Sequence, residues 1–234
     1  MIMQISKKYE LGYKKHGQNY QRKYPNEELC RFIGRNFNDL NKSQRKKIKI
    51  LEVGCGPGGN LWMLAYEGFD VYGLDISATS IKLAKKNLLK KKLKAKLSIS
   101  NMINLNYKNE YFDVIVDVFS SCHLNHRDGL LFLSEVTKKL KKNGIFFSYF
   151  PSKKSNFFKS KFKKKFIDKN TISKIYSKKQ VYGNDVLPMR FMNKNEYKLI
   201  LRNHDLKVVY NEYIYKTYKG GKDTFVFNVL EAIR

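Results

Sequence analysis

The spacing of hydrophobic positions along the chain changes near residue 48. Before it, Tyr9, Tyr13, Tyr20 and Tyr24 stand in polar surroundings, and Leu29, Phe32, Ile33 and Phe37 recur at steps of three or four. This predicts a helical N-terminal cap over residues 1–45 that turns one apolar stripe toward the rest of the molecule. Pro25, with its fixed φ, is placed to open the second of those helices. From Ile48 short apolar runs alternate with helical stretches, the pattern of βαβ units on a parallel sheet. IKILEV (48–53), DVYGLD (70–75), AKLSIS (95–100), FDVIVDV (112–118) and GIFFSYF (144–150) read as strands. Helices are expected over NLWMLAYE, which Gly68 ends, over the Lys-rich stretch that follows Asp75, around 130–140 and over 193–202. LKVVYNEYIYKTY and DTFVFNVLEAI flank KGGK (219–222) as a C-terminal hairpin. Residues 151–192 break the rhythm, so the expected organisation is a cap over 1–45 and an α/β domain over 46–234 with an insertion at 151–192.

The 234 residues suit one such domain with an extension. No run approaches the ~18–20 apolar residues that a bilayer span needs, and MIMQISKK is too short for a signal peptide, so a cytoplasmic protein is expected. Cys30, Cys55 and Cys122 are odd in number and form no C-x-x-C pair. Neither a disulfide framework nor a structural zinc site follows from them.

Charge adds a question about partners. Lys and Arg number 47 against 20 Asp and Glu, a net +27, yet only 8 of the 47 are Arg, the residue suited to bidentate phosphate and base recognition. Eight lysines and no acid lie between 82 and 96, where Ile81, Ala84, Leu88 and Leu89 keep helical spacing; that run reads as the solvated face of an amphipathic helix. Eleven lysines and the single Asp168 lie between 153 and 179, interleaved with Phe157, Phe158, Phe162 and Phe166. Such a segment either lines a site for an anionic ligand or nucleic acid, or packs its aromatics on the domain as an amphipathic helix.

The chemistry concentrates where IKILEV runs into Gly54-Cys55-Gly56-Pro57-Gly58-Gly59 and a helix. Backbone N–H groups and a helix N-terminus there face a ligand at the strand's carboxyl end, and Gly54 and Gly56 let it approach the backbone. The spacing also satisfies G-x-G-x-x-G, which leaves a nicotinamide dinucleotide and another adenosine cofactor both open. Glu52 decides between them, because a carboxylate two residues before the first glycine repels a pyrophosphate and suits a cationic tail. Asp75, ending the next strand 21 residues after Gly54, is placed to bind both ribose hydroxyls.

With these residues the chain resembles the class I S-adenosylmethionine-dependent methyltransferases, whose E-x-G-x-G-x-G motif appears here as Glu52-Val53-Gly54-Cys55-Gly56-Pro57-Gly58. The resemblance implies a Rossmann-like, doubly wound α/β sheet of seven strands, mostly parallel with an antiparallel C-terminal hairpin and helices on both faces. It implies S-adenosyl-L-methionine as cofactor and S-adenosyl-L-homocysteine as product. Glu52, Gly54, Cys55, Gly56 and Asn60 would surround the amino-acid end, Asp75 the ribose, and Ile76, Asn101 and Met102 the adenine, with Asn101 standing where the family usually has Asp. FDVIVDVFSSCHL (112–124) resembles the fourth-strand motif, bringing Asp117 and Val118 to the methionine end and Phe119 and His123 near the transferable methyl. LKKNGIFFSY (140–149) resembles the turn into the fifth strand.

Methyl transfer needs an aligned nucleophile and, where that nucleophile is protonated, a base. His123 is the candidate base; His16, His126 and His204 are expected to be structural. Tyr20, Tyr24, Arg31 and Arg190 are the expected lid and substrate contacts. The chain lacks the Asp/Asn-Pro-Pro-Tyr/Phe motif of adenine methylation, reading Asp117-Val118-Phe119-Ser120 instead, and it has no Pro-Cys nucleophile. The segment after the fifth strand, PSKKSN (151–156), is basic where metal-dependent enzymes carry acids, so no metal is expected. N-terminal similarity to standalone bacterial enzymes implies a small, anionic acceptor, phosphorylated or nucleotide-linked, with a surface-polysaccharide precursor as one case. Methylation of RNA or protein by the basic surface is the alternative, a catalytically silent nucleic-acid-binding fold is a third, and a monomer or homodimer is expected.

Overall fold

The computed structural model describes residues 2–176 and 188–234. Five parallel strands form first: β1 (Lys49–Val53), β2 (Asp70–Asp75), β3 (Lys96–Ile99), β4 (Phe112–Val118) and β5 (Leu140–Pro151). The hairpin β9 (Lys207–Tyr218) and β10 (Asp223–Ile233) joins antiparallel to β5, giving the order β3-β2-β1-β4-β5-β10-β9. The seven expected strands are therefore the seven observed. Ile50, Leu51 and Val53 of β1 are buried, as are Val114, Ile115 and Val116 of β4, because helices cover the sheet and leave no polar side. The chain runs outward from β1 through β2 to β3, then restarts at β4 on β1's other flank. This reversal opens a crevice at the carboxyl ends of β1 and β4, where ligands bind in open α/β sheets.

The N-terminal region supplies α1 (Ile2–His16), α2 (Glu27–Phe37) and α3 (Lys42–Arg45). The apolar stripe of α2 is buried as its spacing predicts, with the Phe32 ring 4.9 Å from that of Phe147 on β5. Burying one such ring stabilises by about 1.5–3 kcal/mol. Glu231 on β10 anchors the same helix by accepting from Arg35 Nη2 at 2.6 Å and from Asn36 Nδ2 at 3.0 Å. The helix start differs from expectation. Asn26 is the cap, its Oδ1 accepting from the Leu29 amide at 3.1 Å, and Pro25 stands one residue before it. Helices α4 (Leu61–Tyr66), α5 (Ala78–Lys90), α6 (His126–Lys139) and α8 (Lys194–Arg202) follow the sequence pattern. Lysines 82, 85, 86 and 90 of α5 are exposed while Ile81, Ala84 and Leu88 are buried, so that run is a solvated face; Leu89, expected in the apolar stripe, is exposed instead, one residue round the helix from Leu88.

The Lys/Phe segment corrects the helical expectation. After α7 (Asn156–Lys159) the chain forms an antiparallel hairpin, β6 (Lys164–Asp168) with β7 (Thr171–Ile175), and β7 pairs with β8 (Met189–Arg190). Asp168 makes the turn by accepting from the Asn170 amide at 2.9 Å and from Thr171 Oγ1 at 2.9 Å, a local bonding pattern that competes with helix. Phe157 is buried against Phe191 and Phe225, whereas Phe162 and Phe166 are exposed. Residues 177–187 of the expected insertion, Lys178 and Lys179 among them, lie outside the described residues.

Candidate cofactor and acceptor site

The crevice holds a cavity of about 470 Å³, in the range of small-molecule sites. Its floor is the glycine turn. Gly54 (φ +67°) and Gly56 (φ +53°) occupy the left-handed region, and a Cβ on Gly54 would fall 1.7 Å from Ser120 Oγ. The Cys55 amide donates to the Leu74 carbonyl at 2.9 Å and the Gly56 amide to Asp75 Oδ2 at 2.9 Å, so the second strand holds the turn in shape. Asp75 Oδ1 accepts from the Ser77 amide at 2.8 Å. Burial raises the pKa of Asp75, opposed by these amide bonds.

Glu52, the penultimate residue of β1, is buried. Its Oε1 accepts from Asn60 Nδ2 at 2.5 Å, and Asn60 Oδ1 in turn accepts from the Asn26 amide at 2.8 Å. Oε2 has no hydrogen-bond partner among the described residues. Burial pushes this carboxyl up to about 8, against the opposing pull of Asn60 and Arg22. An orphaned, buried carboxyl oxygen beside a glycine cradle fits a ligand that brings its own cation. Ile76, Asn101 and Met102 line the cavity beyond Asp75, with Val118 beside the turn. These residues can hold an amino-acid-bearing adenosine cofactor. Of the expected cofactor residues, Asp117 alone does not reach the cavity. It lies beneath it, accepting from the Ser120 and Ser121 amides at 3.2 and 2.9 Å and from Ser121 Oγ at 2.5 Å, and thereby shapes the loop after β4.

That loop forms the far end. Phe119 adopts φ +57°, a left-handed conformation costing a bulky residue about 1–2 kcal/mol. Strain of this kind collects at functional sites. The Phe119 ring stands 5.6 Å from Phe227, which stacks on Tyr149 at 4.2 Å, and Lys216 and Tyr218 of β9 complete the wall. Among the described residues that line the cavity, Lys216 is the lysine at this end, and the acids Glu52 and Asp75 lie at the glycine end. His123 faces the same space, its Nε2 2.8 Å from Tyr9 Oη and its Nδ1 2.8 Å from the Pro188 carbonyl. Burial pushes the imidazole down to about 4, against the pull of the Pro188 bond, so it is neutral at physiological pH.

The expected substrate residues divide. Tyr20 and Phe119 line the cavity. Tyr24 is 76% exposed and borders a separate groove, and Arg31 projects from the outside of α2 toward Glu27, 3.6 Å away. Arg190 is buried behind the His123 loop, over the Phe150 ring and 3.4 Å from the Asn125 carbonyl, and does not line the cavity. His16, His126 and His204 are also outside it. Sequence reasoning missed Tyr9, Tyr13, Tyr149, Lys216, Tyr218 and Phe227. The four-residue step from Tyr9 to Tyr13 and the two-residue step from Lys216 to Tyr218 put each pair on one face, a signal available in the pattern. Among the described residues no group of three His, Cys, Asp or Glu could hold a metal, and no helix is long and apolar enough to cross a membrane.

A doubly wound sheet with a glycine cradle, a buried acid before it and an acid ending the next strand defines an adenosine-cofactor protein. The chain belongs to the methyltransferase-domain family, whose model matches residues 44–207. A curated relative, the ubiquinone biosynthesis O-methyltransferase of Pelagibacter ubique, is 38% identical over 102 residues, 44% of this chain and 41% of its own. The chain thus spans less than half the length of that relative. Among solved structures, a methyltransferase from Methanosarcina mazei superposes with a TM-score of 0.67 at 17% identity, covering 80% of this chain and 92% of that one. One from Aquifex aeolicus gives 0.61 at 16% identity over 97% and 98%. Both resemblances are of fold.

Proposed function

We propose that this chain is an S-adenosylmethionine-dependent methyltransferase that acts on an oxygen of a small aromatic acceptor bearing one anionic group, in the cytoplasm, as a monomer or homodimer. The observation that carries this is the far end of the cavity, where the described lining residues include His123, a wall of aromatic rings and Lys216. Flat rings stack on Tyr149, Phe119 and Phe227, and Lys216 offers a single charge to a carboxylate or phosphate. The O-methyltransferase names of the curated relatives support oxygen as the acceptor atom. A sugar of a surface-polysaccharide precursor would present less flat surface to this wall.

When bound, the cofactor supplies an electrophilic methyl on a sulfonium. Glu52, giving up its proton, pairs with the ammonium of the amino-acid tail, Asp75 accepts from the ribose hydroxyls, and Ile76 and Met102 flank the adenine. Phe119 and Val118 exclude water from the reacting atoms, and His123 is the base that finally holds the charge of the proton leaving the acceptor.

Methylation of RNA has one observation in its favour. A groove of about 380 Å³ behind the glycine turn is lined by Arg22, Lys23, Lys90, Lys91 and Trp62, with no acid. Turnover measured as S-adenosylhomocysteine release, with hydroxybenzoates, sugar phosphates and bulk RNA in parallel, tests the choice. Release with hydroxybenzoates alone is expected; release with RNA alone overturns it.

A further inference from the structure

We propose that Tyr9 is a catalytic residue, taking the acceptor's proton while passing its own to His123, an assignment that rests on oxygen methylation at this site. Hydrogen-bond chemistry fixes the direction. The Pro188 carbonyl only accepts, so the Nδ1 atom 2.8 Å from it carries the ring's proton. A neutral imidazole has one N–H, which leaves Nε2 as a lone-pair acceptor, and the Tyr9 hydroxyl 2.8 Å away must donate to it. The lone pair of the candidate base is thereby already occupied. Tyr9 and His123 both line the cavity, and the Tyr9 oxygen, which keeps its own lone pairs while donating to His123, is the acceptor left to an incoming hydroxyl.

Tyr9 is held there from the cofactor side. Its neighbour on α1, Glu10, accepts from Ser77 Oγ at 2.6 Å and the Thr79 amide at 3.1 Å through Oε2, and from Thr79 Oγ1 at 2.6 Å through Oε1. These donors open α5 directly after Asp75 and Ile76. One helix therefore joins the adenosine end to the base, with two successive side chains pointing about 100° apart. The rings of Tyr13 and Tyr20, 6.3 and 6.0 Å away, fix the Tyr9 ring laterally.

The step balances. The acceptor O–H bond breaks and its proton joins Tyr9 Oη, while the Tyr9 proton moves to His123 Nε2. The acceptor oxygen's pair closes on the methyl carbon, whose former bonding pair stays with sulfur. The sulfonium's positive charge reappears on the imidazolium, which a buried site disfavours and which returns its proton to solvent.

Tyr9→Phe tests this, because the ring and its packing survive. With 3,4-dihydroxybenzoate as the probe acceptor, Y9F should lower kcat about 100-fold with little change in KM or in S-adenosylmethionine affinity, and H123Q should add little to it. Unchanged or increased kcat in Y9F, with the wild type active, overturns the assignment and leaves oxygen methylation standing. A wild type inactive on phenols overturns oxygen methylation itself. Nitrogen-15 histidine spectra of the ligand-free protein give a second readout. Y9F should shift the His123 Nε2 resonance and preserve Nδ1–H, and an unmoved Nε2 contradicts the donation.

Discussion

Replacing Glu52 by Gln probes the cofactor site through a proton. With the carboxyl pushed up to about 8, roughly nine molecules in ten carry that proton at pH 7 in the ligand-free protein. An ammonium placed against the orphaned Oε2 favours the carboxylate, so binding should release about 0.9 proton per cofactor. Calorimetric titration of S-adenosylmethionine at pH 7 in buffers of different ionisation enthalpy measures it as the slope of observed heat against buffer heat. E52Q should show no such slope. Affinity changes less than a charged contact worth about 1.5–3 kcal/mol suggests, because deprotonating the wild type at pH 7 costs about 1.4 kcal/mol. The net loss in E52Q is then at most about 1.6 kcal/mol, roughly 15-fold. The ligand-free protein adds an independent check. A carboxyl raised in the folded state binds its proton more tightly there than when unfolded, so stability falls as pH rises from 4.5 toward 8, and E52Q should abolish that fall. Binding without proton release in the wild type, together with undiminished affinity in E52Q, would refute the placement of the cofactor's amino group.

Gly54→Ala should prevent cofactor binding and lower the melting temperature, since its Cβ would meet Ser120 at a φ that L residues resist by about 1–2 kcal/mol; wild-type binding and melting would contradict the turn geometry. His123 is kept neutral when folded, with its pKa near 4 against 6.5 in the ordinary state. Its contribution is therefore full above pH 6.5 and lost as pH falls toward 4, and urea midpoints should show that this part of the acid sensitivity disappears in H123Q. Lys216→Met should raise KM for a carboxylated phenol about tenfold, leave kcat and the KM of an uncharged phenol unchanged, and so separate charge recognition from chemistry. Equal effects on both phenols would make Lys216 a packing residue.

The fold was legible because local and global signals agree along 48–150. Ile50, Leu51, Val114 and Ile115 are apolar on both faces of their strands, as a covered parallel sheet requires, and Gly54 and Asp75 sit where a strand must end against a ligand. The helix α2 starts two residues later than Pro25 predicts, because the Asn26 side chain satisfies the Leu29 amide and so sets the cap. In the Lys/Phe segment, lysines solvate either a helix or a hairpin, and Asp168 decided the matter through bonds to Asn170 and Thr171 that periodicity does not reveal. Arg31 and Arg190 illustrate the limit at the acceptor end. Both were expected at the substrate, but Arg31 points outward beside Glu27 and Arg190 is buried over the Phe150 ring, 3.4 Å from the Asn125 carbonyl. Tyr9 and Lys216 reach the cavity from opposite ends of the chain, a proximity created only by the folded sheet and the N-terminal helix.

The most direct measurement supplies the enzyme with S-adenosylmethionine carrying a deuterated methyl, in a mixture of carboxylated phenols, their uncharged analogues and RNA, and locates the label by mass spectrometry. The label is predicted on the ether oxygen of a carboxylated phenol. Label on RNA, or on a nitrogen or carbon of the small molecules, would contradict oxygen methylation at the Tyr9–His123 end of the cavity.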